Sequence, residues 1–259
     1  MVNKSLTVYL QEKKAAGQKI FVPYIVAGGN GLECLEDEIN CLAENGATTI
    51  ELGIPFSDPV ADGPIIQRAA LEAFKHQVTF KKIIAKLQAI QSPVPIVLMG
   101  YANSFFHYGL EELLADLEKT DVKGLIIPDV PYEHRDLILP KLIDTDIALI
   151  QLVTLTSTKE RMQTLVDVGE GFIYAVTVNG TTGIGQTYRD SLNEHLEYIT
   201  EISSIPVLAG FGVSNREQVE RFNQSCDGVI VGSKLVASLA EDGVEATGRL
   251  VAEMTGKKK

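Results

Sequence analysis

The stretch ATTIELGIPFSDPVADGPIIQRAALEAFKHQ, residues 47–77, reads as a strand, a stiff loop and a helix in one pass. The run 47–54 is short, apolar and rich in β-branched residues, which suits a strand. The loop is punctuated by Pro55, Pro59 and Pro64. Pro64 fits the first turn of the helix that follows. The unit is therefore β, loop, α, and its one irregularity is a charged Glu51 inside the apolar run.

The same alternation runs along the chain. Apolar runs flanked by Gly and Pro occupy 20–29, 47–54, 94–101, 122–130, 147–153, 171–178, 205–212 and 226–233. Amphipathic segments occupy 32–46, 63–77, 79–91, 109–121, 131–146, 157–169, 191–204, 214–225 and 234–254. Pro140 disturbs the segment 131–146, and a break is expected near Gly243. Eight strands alternating with helices in 259 residues predict a (β/α)₈ TIM barrel, with an additional helix at the N-terminus. The competing architecture, an open doubly wound sheet, carries G-x-G-x-x-G after its first strand. Here that place reads AGGNGLE (27–33), without the fingerprint. No linker or composition shift divides the chain, so one domain over 1–259 is expected.

The formal charge is −11, from 23 Lys plus Arg against 34 Asp plus Glu. Nucleic acid is not an expected partner, because phosphate binding needs clustered cations. A small anion held by backbone amides remains compatible with that charge. Cys34, Cys41 and Cys226 have no metal-like spacing and suit a reducing cytoplasm as small buried residues. The opening MVNKSLTVYLQEKKAAG has too little apolar length for a signal peptide, and no run approaches a membrane span.

Barrel chemistry gathers at the C-terminal ends of the strands. Strand alternation puts Ile50 and Leu52 on one face and Thr49, Glu51 and Gly53 on the other. The Ile/Leu face suits the outer helices, so Glu51 is expected to point into the barrel mouth. Desolvation there raises a carboxyl pKa and makes it a proton donor. The plain alternative is a Glu paired with a buried cation, but no Arg lies in any of the runs, and the only Lys, Lys123, stands at a run's end. Asp62 alone reads as a cap of the next helix; together with Glu51 it makes an acid–base pair credible. Asp58, between Ser57 and Pro59, reads as a turn residue or a contact with a partner, the turn being the simpler reading. The Gly-rich stretches NGTTGIGQTY (179–188), AGFGVS (209–214) and VGSKLV (231–236) follow the last three strands. Loops after strands seven and eight with helix N-termini are the usual phosphate site of a barrel. Tyr174 shares a face with Phe172 and is either core or a substrate wall. The four His show no catalytic or metal spacing, and no nucleophile motif is present. The residues thus point to proton transfer or carbon–carbon cleavage on a phosphorylated substrate.

ELGIPFSDPVADGPIIQRA (51–69) resembles the signature of the tryptophan synthase alpha chains. The resemblance continues in FVPYIVAGG (21–29), MGYANSFFHYG (99–109), LIIPDVPYEH (125–134), GFIYAVTVNGTTG (171–183), PVLAGFGVS (206–214) and DGVIVGSKLV (227–236). It implies a barrel without a cofactor of its own. That barrel cleaves indole-3-glycerol phosphate to indole and glyceraldehyde 3-phosphate. It also implies a beta chain that carries PLP, assembles with it as α2β2, and receives the indole. By motif, Glu51 matches the general acid/base and Asp62 the carboxylate that pairs with the indole N–H. Tyr174 matches a tyrosine beside the reacting centre. Phe21, Tyr101 and Phe211 match indole or barrel-mouth neighbours. Gly183, Gly212, Gly232 and Ser233 match the phosphate cradle, and Asp58 matches a residue facing the beta chain. The loops around 55–62 and 181–187 match segments that close over substrate. The departures are AGGNG (27–31), where the family usually has Gly-Asp-Pro, and Val178, where some members carry Arg.

Overall fold

The computed structural model describes residues 4–154, 156–176, 186–210 and 212–257, and for 186–191 the backbone alone. The strands are β1 (Ile20–Val26), β2 (Ile50–Gly53), β3 (Ile96–Met99), β4 (Val122–Ile126) and β5 (Ala148–Leu149). They continue as β6 (Gln151–Thr154), β7 (Ile173–Val176), β8 (Val207–Gly210) and β9 (Gly228–Val231). All pairings are parallel, in the order β5-β4-β3-β2-β1-β9-β8-β7-β6. Parallel neighbours need crossovers, and helices supply them.

The two ends of that order are adjoining pieces of chain. Only Ile150 separates β5 from β6, and its N–H still bonds the Leu125 carbonyl of β4. β5 pairs with β4 and β6 with β7, so the stretch 148–154 joins both ends and the sheet closes into a barrel. The expected fifth strand is present in two halves, one for each neighbour. Counted as one, it gives the eight strands of the expected barrel.

Alternation sorts the buried residues into two clusters. Ile20, Val22, Tyr24 and Val26 of β1 join Val97, Met99, Ile126, Ile150, Phe172, Tyr174, Leu208 and Ile230 inside the barrel. The other strand face carries Phe21, Ile25, Ile50, Leu52, Ile96, Leu98, Leu125 and Val207, packed with the helices. The N-terminal helix Ser5–Ala15 puts Leu6 and Leu10 into the inner cluster. Leu6 lies beside Gly124 and Gly171, near the strand starts, so this helix plugs the N-terminal end. Its Lys4 ammonium bonds the Leu142 and Thr145 carbonyls and the Ser5 hydroxyl bonds Asp146, which fixes the plug.

Sequence punctuation explains several boundaries. Thr79 caps the helix Phe80–Ala89 by accepting from the Lys82 N–H. Around Pro140 the expected 131–146 helix becomes a 3₁₀ turn, Tyr132–Leu137, and a short helix, Leu139–Leu142. Gly243, with φ of 82°, separates the helices Ser233–Glu241 and Val244–Thr255. No helix among the described residues is long and apolar enough to cross a membrane.

Candidate active site

Strand register assembles the site. Glu51 of β2 stands between Tyr24 of β1 and Val97 of β3. Its flanking Ile50 and Leu52 pack outward with the helices, so the carboxylate is forced into the barrel. Glu51 is 0% exposed, and neither carboxylate oxygen has a hydrogen-bond partner among the described residues. The buried-cation reading therefore fails. Burial, with the Asp62 carboxylate nearby adding to it, pushes the Glu51 carboxyl up to about 8. A carboxyl that keeps its proton near neutral pH is able to donate it.

Asp62 ends the loop between β2 and the helix Pro64–Lys75. It does not cap that helix: Gly63 holds the cap position, and no side chain bonds there. Instead the Tyr101 hydroxyl donates to Asp62 Oδ2 at 2.9 Å. The same phenol oxygen accepts the Ala61 N–H at 2.9 Å. Phe56 stacks on the Tyr101 ring with centroids 4.8 Å apart. Tyr101, two residues beyond β3, thus ties the proline-stiffened loop to the barrel mouth at three points. Burial raises the Asp62 carboxyl, and the Tyr101 hydrogen bond acts against that rise. Asp62 so has a defined orientation while Glu51 has no partner, and the two carboxylates differ in environment.

Tyr174 lies in the inner cluster, with the Phe172 ring at 6.3 Å. Its ring crosses onto Gly210 of β8, where any side chain would collide with it. Tyr24 does the same from β1. Its hydroxyl occupies the space over Gly53, 2.1 Å from where a Cβ would stand. Burial pushes both phenols well above their ordinary value, and Glu51 and Asp62 add to the rise in each. Two tyrosines and two carboxylates therefore converge on one volume. Sequence reasoning missed Tyr24 and named Phe21 instead. Phe21 has the other parity on β1 and packs among the outer cluster. That expectation is corrected: the β1 side chain inside the barrel beside Glu51 is Tyr24, not Phe21. The signal was available, since Tyr24 is in step with Ile20 and Val22.

The glycine loops fall at the expected edge. Gly210 of β8 pairs with Ile230 of β9. Gly212 and Gly232 each stand two residues further on, so their loops lie side by side. Gly232 is the cap residue of the helix Ser233–Glu241, and Gly212 has φ of 79°. A helix N-terminus presents backbone N–H groups to an anion. Gly183, Phe211 and Val178 lie outside the described residues. Asp58 is exposed on the loop, where the Ser57 hydroxyl bonds it at 2.6 Å, and Val60 beside it is 86% exposed.

Comparison with known proteins bears on this geometry. Residues 10–258 match the family model described as tryptophan synthase alpha chain. The chain is 52% identical over 242 residues to the tryptophan synthase alpha chain of Streptococcus sanguinis, covering 93% of each. It is 52% identical over 241 residues to that of Listeria welshimeri, again covering 93% of each. Among solved structures, one of Mycobacterium tuberculosis tryptophan synthase superposes with a TM-score of 0.88 at 30% identity, covering 98% of both chains. Tryptophan synthase subunit alpha from Campylobacter jejuni superposes at 0.86 and 31% identity, over 93% of this chain and 98% of that one. A barrel with this arrangement of carboxylates and glycine loops, matched over nearly its whole length, belongs to the tryptophan synthase alpha chain family.

Proposed function

We propose that the chain cleaves indole-3-glycerol phosphate to indole and glyceraldehyde 3-phosphate, as one domain over 1–259. The observation that carries this reading is the pair of unlike carboxylates in one barrel. Glu51 is buried, unpartnered and holds its proton to about pH 8, while Asp62 is oriented by Tyr101.

The chemistry asks for that difference. Indole is a poor leaving group until C3 gains a proton. Glu51 donates that proton from its neutral form, and the indolenine cation that results can leave. The Asp62 carboxylate accepts the ring N–H and faces the positive charge as it grows. The C–C bond then breaks as the adjacent hydroxyl loses its proton and becomes the aldehyde of glyceraldehyde 3-phosphate. Its electron pair returns to the indole ring. Glu51, now ionised, is the base that takes up that hydroxyl proton, so no net proton is consumed. Tyr174 and Tyr24 wall the reacting centre, and Tyr101 positions Asp62. Gly212, Gly232 and Ser233 hold the phosphate through backbone N–H groups, with Gly183 contributing from the sixth loop. Phe211 stands next to this cradle in sequence.

Indole passes to a beta chain that carries PLP, and this chain's own step uses no cofactor. Asp58 and the exposed loop around it face that partner in an α2β2 assembly. The setting is the cytoplasm, where tryptophan is made. A second reading of the same site is a stand-alone lyase that releases free indole. A third, a barrel that only activates a beta chain, is disfavoured by the intact Glu51–Asp62 pair. The test is indole release from indole-3-glycerol phosphate by wild type and Glu51→Gln. Loss in the variant with retained binding of a phosphate analogue supports the assignment; near-normal turnover overturns it.

A further inference from the structure

Behind the glycine-loop helix the structure holds a second cleft, of about 580 Å³. It opens between the helices Pro64–Lys75 and Ser233–Glu241, over the AGGNG loop that follows β1. One stripe of the first helix faces it, at Ile65, Arg68, Ala69 and Glu72, with His76 just past the helix end, the spacing of a single helix face. The room comes from small residues, Gly29, Ala69, Ala237 and Ala240, on three different elements. Such a volume suits a small organic ligand.

The floor of the cleft carries a buried carboxyl that the reaction does not use; burial raises it and the Asn30 hydrogen bond acts against that rise. Glu38 is 1% exposed. Its one side-chain hydrogen bond among the described residues comes to Oε1 from the Asn30 amide at 2.8 Å. Among the described residues no cation pairs with it and Oε2 accepts no hydrogen bond; that oxygen is not sealed from solvent, so it is open to the cleft. A buried carboxylate is costly unless its oxygens are bonded. The walls, Val26, Ala69 and Val236, are apolar. Glu72 and Glu241 stand at the rim against Arg68, so the lining is acidic on balance. Asn30, which orients Glu38, sits in the loop where this sequence departs from Gly-Asp-Pro.

We propose that this cleft is a binding site for a small organic ammonium with an apolar body. The ammonium donates to Glu38 Oε2, and the body lies against Val26, Ala69 and Val236. Those three side chains also belong to, or pack on, the cluster inside the barrel. The site is distinct from the one around Glu51 and does not depend on the reaction assigned there.

Benzylammonium is a suitable probe, with benzyl alcohol and benzoate as neutral and anionic controls of similar shape. Binding is read by NMR chemical-shift titration of the full chain. The expected result is saturable benzylammonium binding that moves resonances of residues 29–38 and 236–241. Benzyl alcohol and Glu38→Gln each weaken it about tenfold, the scale of one charge-assisted hydrogen bond. Benzoate does not bind there. Ala237→Leu, which narrows the cleft and leaves Glu38 in place, also weakens it and guards against misfolding of the Glu38 variant. Equal binding of the three probes, no saturable shift at these residues, or unchanged affinity in both variants overturns the proposal. Indole-3-glycerol phosphate cleavage is not the readout, so either assignment is able to fail alone.

Discussion

At the residue scale, two carboxylates share one barrel mouth in different surroundings. Glu51→Gln should lower cleavage by about 10²–10⁴-fold, the usual worth of a positioned acid–base group, measured as kcat. The same variant makes a stability prediction. Folded Glu51 holds its proton to about pH 8, against 4.5 for the ordinary carboxyl. Below 4.5 both states are protonated and the group costs nothing. As pH rises from 4.5 through about 8 the unfolded chain releases the proton first, so the folded state loses stability across that window. Urea unfolding at pH 5 and pH 8 should show a larger loss in wild type than in Glu51→Gln. Tyr101→Phe removes the one hydrogen bond that holds the Asp62 carboxyl down. The acid limb of its kcat/KM profile should therefore move to higher pH, and an unmoved limb would deny Tyr101 that role. Glu51 was legible in the sequence because a lone acid in an apolar strand has no other use once cations are absent. Asp62 was legible only beside Glu51, because alone it reads as a helix cap. Its actual partner, Tyr101, lies 39 residues away and leaves no local mark. Tyr24 was missed although parity alone placed it inside.

At the element scale, strand faces follow alternation, and Thr79, Pro140 and Gly243 mark boundaries. The N-terminal helix is a plug for the face opposite the chemistry. Leu6→Ala empties a fully buried position there and should cost about 2–5 kcal/mol, read by urea unfolding, with turnover at saturation nearly unchanged. Gly53→Ala acts at the other end. A Cβ there meets the Tyr24 hydroxyl at 2.1 Å. It should push that ring into the substrate volume, raising KM and lowering kcat while leaving most stability intact; an unchanged KM would show that Tyr24 does not line the site. The strands and most helices could be read from periodicity. Two features could not. The division of 148–154 arises because its halves pair with different neighbours, which is a property of barrel closure and not of local sequence. The helix Ala102–Tyr108 directly follows the apolar run 94–101 and is only seven residues, too short to show its own period.

At the scale of the whole molecule, a closed parallel barrel places every active group at one rim and leaves the other for stability. The net charge of −11 fits a small-molecule enzyme whose proposed anion site uses backbone N–H groups and not net charge. The exposed loop carrying Asp58 and Val60 is tied to Asp62 through Ala61 and Tyr101, which links the proposed partner face to the proposed catalytic carboxylate. Adding the beta chain should therefore raise turnover of this chain, and Asp58→Ala should weaken that rise without abolishing the basal rate. Full activity of the isolated chain, unmoved by a beta chain, would favour the stand-alone lyase. The most direct measurement of the central claim is indole formed from indole-3-glycerol phosphate, by wild type and Glu51→Gln, each with and without beta chain. The account predicts indole from wild type, more of it with the beta chain, and almost none from Glu51→Gln in either condition. Comparable indole from the two proteins would contradict it.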